Sequence, residues 1–123
     1  MGTVTAATAD SFTRAWVSVE RTGKISHALK NAWQDSPLYP ELIAESTEKR
    51  LGSISAQDLE TLMAQYPDSA AIANLRWKKL FRLGRANWHK DLLVLYRPTD
   101  SVELNCYKLE ARYRLKQAKD ADH

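Results

Sequence analysis

The stretch Ser55-Ala56-Gln57-Asp58-Leu59-Glu60-Thr61-Leu62-Met63-Ala64-Gln65-Tyr66-Pro67-Asp68-Ser69 holds a complete helix with its start and stop, and the start of the next. Ser55 followed by Asp58 resembles a capping box, with Asp where Glu or Gln is usual. Leu59, Leu62, Met63 and Tyr66 recur at the spacing that places them on one helical face. Pro67 cannot continue that helix, and Asp68 or Ser69 is suited to cap another.

The same grammar extends in both directions. Downstream, the helix begun at Ser69 carries Ile72, Leu75, Leu80 and Leu83, and Gly84 is expected to break it. Arg85 to Tyr96 reads as the next helix, with Trp88, Leu92 and Leu95 inward. Pro98 stops that helix; Asp100 is expected to cap a last one with Val102, Cys106, Leu109 and Tyr113 on its inner side. Upstream, Pro37 and Pro40 sit where a helix begins, because first-turn N–H groups have no intrahelical partner to lose. That helix runs to about Arg50 or Leu51, with Leu42, Ile43 and Leu51 inward, and Gly52 closes it. Before it, Ile25, Leu29, Ala32 and Trp33 share one face of a short helix ended by Asp35-Ser36-Pro37. The first helix is expected to be capped by Asp10 or Ser11, to bury Phe12, Trp16 and Val19, and to end at Gly23.

No stretch alternates apolar and polar residues long enough to argue a strand. The expected fold is all-α: about seven short antiparallel helices, arranged as the hairpin repeats of a solenoid or superhelix. No fixed repeat period stands out, so a closed bundle and an open arc both remain. The expected organisation is a flexible N-terminus over 1–9, a single helical domain over 10–117 and a frayed polar tail over 118–123.

Bulk properties narrow the function classes. At 123 residues, folding removes roughly two thirds of the unfolded surface from water, enough for one real core. The net charge of +3 is too mild for a dedicated nucleic-acid binder. A single cysteine excludes an internal disulfide framework and a cysteine-based zinc site. No apolar run approaches the roughly 20 residues needed to cross a bilayer. Residues 1–9 lack both the basic and the apolar segments of a signal peptide.

Few residues invite a chemical reading. His27, His89 and His123 have no metal-ligand spacing with one another or with Cys106, and no cofactor motif is present. Glu45 shares its helix with Glu41 and Glu48 and reads as part of a solvated acidic face. The strong feature is Arg76 to Lys90, where Arg76, Lys78, Lys79, Arg82, Arg85 and Lys90 occur with no acidic residue between Arg76 and Lys90. At helical spacing, Lys78, Arg82 and Arg85 share one face. A face that merely keeps the helix in water, contact with an anionic polymer, and contact with nucleic acid or an acidic partner compete to explain it. Trp77 lies among these charges, whereas Trp16, Trp33 and Trp88 fall on expected inner stripes, where core packing explains them.

Four marks occur in order: Pro37-Leu38-Tyr39-Pro40 at a helix start, Tyr66-Pro67-Asp68-Ser69 at a junction, Gly84 to Trp88 as a Gly-x-x-x-Trp link, and Cys106 in the following helix. Over about two thirds of the chain, this order resembles the N-terminal superhelix of soluble lytic murein transglycosylases. The resemblance implies a non-catalytic segment, in the periplasm, of an enzyme that acts on peptidoglycan. That enzyme cleaves between N-acetylmuramic acid and N-acetylglucosamine and leaves a 1,6-anhydro end. The segment would scaffold or contact the glycan strand, and peptidoglycan would be the partner of Arg76, Lys78, Lys79, Arg82, Arg85 and Lys90.

This chain departs from the family in three ways. It has no catalytic domain: Glu45-Ser46 is superficially like the family's catalytic Glu-Ser pair, but the Gly-Leu-Met-Gln turn expected downstream is absent. Cys106 resembles the first half of a family disulfide whose partner is absent from this chain. Lys116-Gln117-Ala118 stands where the family usually has a Gly. The rival class is a standalone helical adaptor of the tetratricopeptide kind, binding protein and carrying no enzyme.

Overall fold

The computed structural model describes residues 6–121, and all regular structure among them is α-helical. The helices are α1 (Ala6–Thr22), α2 (His27–Trp33), α3 (Tyr39–Lys49), α4 (Ala56–Gln65), α5 (Ala70–Ala73), α6 (Leu75–Arg85), α7 (His89–Leu95) and α8 (Val102–Ala121). Only Asn74 separates α5 from α6, so the pair corresponds to the single helix expected from Ser69 onward. The expected flexible segment falls, for residues 1–5, outside the described residues; Ala6–Ala9 already belong to α1. Asp10 and Ser11 therefore lie inside a helix and do not cap it. At the other end the α8 backbone stays helical to Ala121, and residues 122–123 lie outside the description.

The chain divides into two compact units, with the boundary falling between Leu51 and Gly52, inside the span read as one domain. The first contains α1, α2 and α3. Ala15, Val19, Tyr39 and Leu42 form its buried centre, with Phe12, Trp16, Ile25, Leu29, Trp33 and Ile43 packed around it. The Phe12 and Trp33 rings meet edge to face at 5.5 Å, a favoured aromatic geometry. Gly23 ends α1 as the sequence predicts: its φ of 71° is left-handed, and its N–H donates to Val19 O at 2.7 Å. The Ser46 hydroxyl of α3 donates to Gly23 O at 2.8 Å, tying α3 to that turn.

The second unit contains α4 to α8. Its cap chemistry follows the sequence: Ser55 Oγ accepts from Asp58 N–H at 3.0 Å, and Ser69 Oγ from Ile72 N–H at 3.2 Å. Tyr66 O accepts from Ser69 N–H across the Pro67-Asp68 turn. Leu59, Ile72, Leu75, Leu80, Leu83, Leu92, Leu95 and Leu104 are buried, and α7 packs against α4, α6 and α8.

Gly84 plays a different part from the one expected of it. It lies inside α6 and is buried, and a methyl group there would fall 2.2 Å from Tyr107 Cδ2. Its missing side chain lets α8 approach, and the helix ends at the next residue, Arg85. Asn87, at φ 61°, supplies the left-handed residue instead. Asn87 N–H donates to Gly84 O and Trp88 N–H to Leu83 O, the paired bonds of a Schellman motif.

Candidate functional site

The six cations read as one basic stretch separate into two internal groups and four at the surface. Arg76 turns inward. Its guanidinium forks onto Glu60 of α4, with Nη2 donating to Oε1 at 2.8 Å and Nη1 to Oε2 at 3.2 Å. Nη1 also donates to Leu95 O at 2.7 Å, closing the C-terminal end of α7. Both side chains of the pair are largely buried, and Arg97 reaches the same carboxylate from the loop after α7. The hydrogen bond from Arg76 chiefly holds the Glu60 carboxyl below its usual range. Burial opposes it, and the charges of Arg76 and Arg97 reinforce it. Glu60 and Arg97 escaped the sequence reading because their partners are remote in the chain.

Lys79 is also internal, at 5% exposure. Burial pushes its ammonium pKa down, the neighbouring charge of Arg82 adds to this, and Asp91 of α7 opposes it. That leaves Lys78, Arg82 and Arg85 on the exposed face of α6, as their spacing predicts, and Lys90 exposed near the start of α7. The Arg85 guanidinium lies 5.5 Å from the centre of the Phe81 ring and 3.8 Å from the Glu103 carboxylate. Both ends of that ion pair are well exposed, so water and salt weaken it.

Trp88 is the second departure. The expectation placed it on an inner stripe; its side chain is 60% exposed. Trp88 is the residue before α7, which begins at His89, and it belongs with Ala86 and Asn87 to the Schellman turn. The indole stands beside an open cavity of about 590 Å³ lined by Asn87, His89, Lys90, Asp91 and, from α8, Leu115.

The inner face of α8 is likewise not the one expected. Val102, Leu109 and Tyr113 are 77%, 61% and 60% exposed, and Cys106 is exposed with them. The helix buries Leu104 and Ala111 instead, with Tyr107, Lys108 and Leu115 partly covered. Two apolar stripes compete on this helix, and the one with Val102, Cys106, Leu109 and Tyr113 faces outward. Asn105 fixes the choice: its amide donates to Thr99 O at 3.0 Å and its Oδ1 accepts from the Tyr96 hydroxyl. Ser101, not Asp100, caps the helix, accepting from Leu104 N–H at 3.2 Å.

Glu45 is half-buried on α3, with Glu41 and Glu48 exposed on the same helix. His27 is exposed at the start of α2, and His123 lies outside the described residues. Among the described residues, no group of three His, Cys, Asp or Glu side chains is placed to hold a metal ion, and no helix is long and apolar enough to cross a membrane. No protein-family model matches the chain, and neither a curated protein nor a solved structure matches it.

Proposed function

We propose that this chain is a non-catalytic helical segment of a periplasmic peptidoglycan lytic transglycosylase, and that it contacts or scaffolds the glycan strand. The observation that carries the reading is the uncovered stripe Val102, Cys106, Leu109 and Tyr113 on α8. A helix inside a longer superhelical array presents such a face to the next hairpin, and the exposed Cys106 on it suits the half of a family disulfide that it resembles. Three of the marks behind the resemblance also have structural roles. Pro40 stands at the start of α3, Tyr66 to Ser69 forms the turn that caps α5, and Gly84 to Trp88 makes the α6–α7 link. The exposed cations Lys78, Arg82, Arg85 and Lys90 suit the stem-peptide carboxylates of peptidoglycan.

The same stripe also favours the adaptor reading, in which a protein partner covers α8. Probing fractionated cells of the source organism with an antibody to this chain separates the two. A periplasmic species several times heavier than 14.0 kDa is the expected result. A cytosolic species near 14.0 kDa would replace the enzyme reading with the adaptor.

A further inference from the structure

The cavity beside Trp88 combines features that a solvated turn does not require. The indole is largely in water, yet the backbone beneath it is held at both ends of the turn. Asn87 N–H and Trp88 N–H are committed to Gly84 O and Leu83 O, and Leu92 N–H donates to Trp88 O. The aromatic ring therefore projects from a fixed base, so little backbone ordering is left for a ligand to impose. The cavity volume, about 590 Å³, falls in the roughly 300–1,000 Å³ range of small-molecule sites. Its rim mixes an amide (Asn87), an imidazole (His89), an ammonium (Lys90) and a carboxylate (Asp91), with Leu115 of α8 on the far side, and the depression is shallow and open to water. His89 and Asp91 are half-buried, and the Asp91 charge acts on the buried Lys79.

We propose that this cavity binds a saccharide, with one pyranose ring stacked on the Trp88 indole and its hydroxyls hydrogen-bonded to Asp91 and Asn87. The π face of an indole is negative, and the axial C–H bonds on one face of a pyranose are weakly positive, so the two attract over a shared flat area. A carboxylate and an amide at the edge of that platform accept from and donate to vicinal hydroxyls. Lys90 adds a cation for a saccharide that carries an acidic substituent. A single-stranded nucleic-acid track pairs aromatics with cations along the strand, and the Asp91 carboxylate beside this indole departs from that pattern. This inference deepens the glycan-contact reading and rests on it for the kind of saccharide.

The test is titration of the ¹⁵N-labelled full chain with the tetramer of N-acetylglucosamine, following the four indole N–H signals. The expected result is a selective shift of the Trp88 signal. Trp88→Ala should weaken binding by roughly tenfold or more with its helical spectrum unchanged, and Asp91→Asn should weaken it as well. In parallel, the chain is sedimented with purified peptidoglycan sacculi. No Trp88 shift while the chain still pellets overturns the Trp88 site and leaves the glycan reading standing. No shift and no pelleting overturns both. A Trp88 shift caused by an oligonucleotide and not by the saccharide, strengthened in Asp91→Asn, overturns the assignment of ligand class.

Discussion

The Tyr107 ring lies directly over the backbone of Gly84, so close that a Cβ on residue 84 would stand 2.2 Å from Tyr107 Cδ2. Gly84→Ala should therefore destabilise the second unit by about 1–3 kcal/mol, although alanine is by about 1 kcal/mol the better helix former. Denaturant unfolding measures this, and Gly84→Ala combined with Tyr107→Ala should lose less than the two single changes summed. A neutral or stabilising Gly84→Ala would mean that α6 and α8 do not pack this closely.

Glu60 ties α4 to Arg76 and Arg97, which gives the fold a defined acid sensitivity. Its pKa in the folded state lies below the ordinary 4.5. The stabilisation is therefore complete above that value and is lost as pH falls through the lower folded-state pKa. Glu60→Gln should cost about 1–3 kcal/mol at neutral pH and flatten the acid limb of a stability–pH curve. An unchanged acid limb would contradict the pairing.

The rotation of α8 can be read from two kinds of substitution. Leu109→Ser and Tyr113→Ser should each change stability by less than about 0.5 kcal/mol, because both side chains are mostly in water. Leu104→Ala should cost about 2–5 kcal/mol. Thermal unfolding of the three variants is sufficient, and the opposite ranking would restore the stripe that the sequence suggested.

Asn87 holds a left-handed conformation between α6 and α7. Asn87→Gly should be neutral or slightly stabilising, because glycine lacks the Cβ that crowds the carbonyl in this conformation, whereas Asn87→Ala should cost about 1 kcal/mol, because it keeps that Cβ and loses the local polar compensation of the asparagine side chain. Equal costs for both, read by urea midpoint, would place the strain elsewhere.

Helix stops and caps that depend on a few adjacent residues were legible in the sequence. Ser55, Ser69, Gly23 and Pro67 act where local backbone chemistry puts them. Local chemistry also misplaced two caps, at Asp10 or Ser11 and at Asp100, and the other readings that failed needed information beyond the helix's own periodicity. Gly84 looks like a breaker unless Tyr107 is known to lie against it. Trp88 looks like core unless the Schellman turn before it is counted. On α8 two apolar stripes read alike, because the bonds that join Asn105 to Thr99 and to the Tyr96 hydroxyl leave no periodic signal. The basic stretch was legible as a face for Lys78, Arg82 and Arg85, but not for Arg76 and Lys79, which turn inward toward Glu60 and Asp91.

The most direct test of a non-catalytic glycan-contact role is to incubate the full chain with purified sacculi, then assay both the pellet and the soluble products. The chain is expected to pellet with the sacculi, less so at high salt, and to release no 1,6-anhydromuropeptides. A chain that stays in the supernatant at low salt would contradict the glycan contact. Release of anhydromuropeptides by clean protein would contradict the claim that no residue here carries the cleavage.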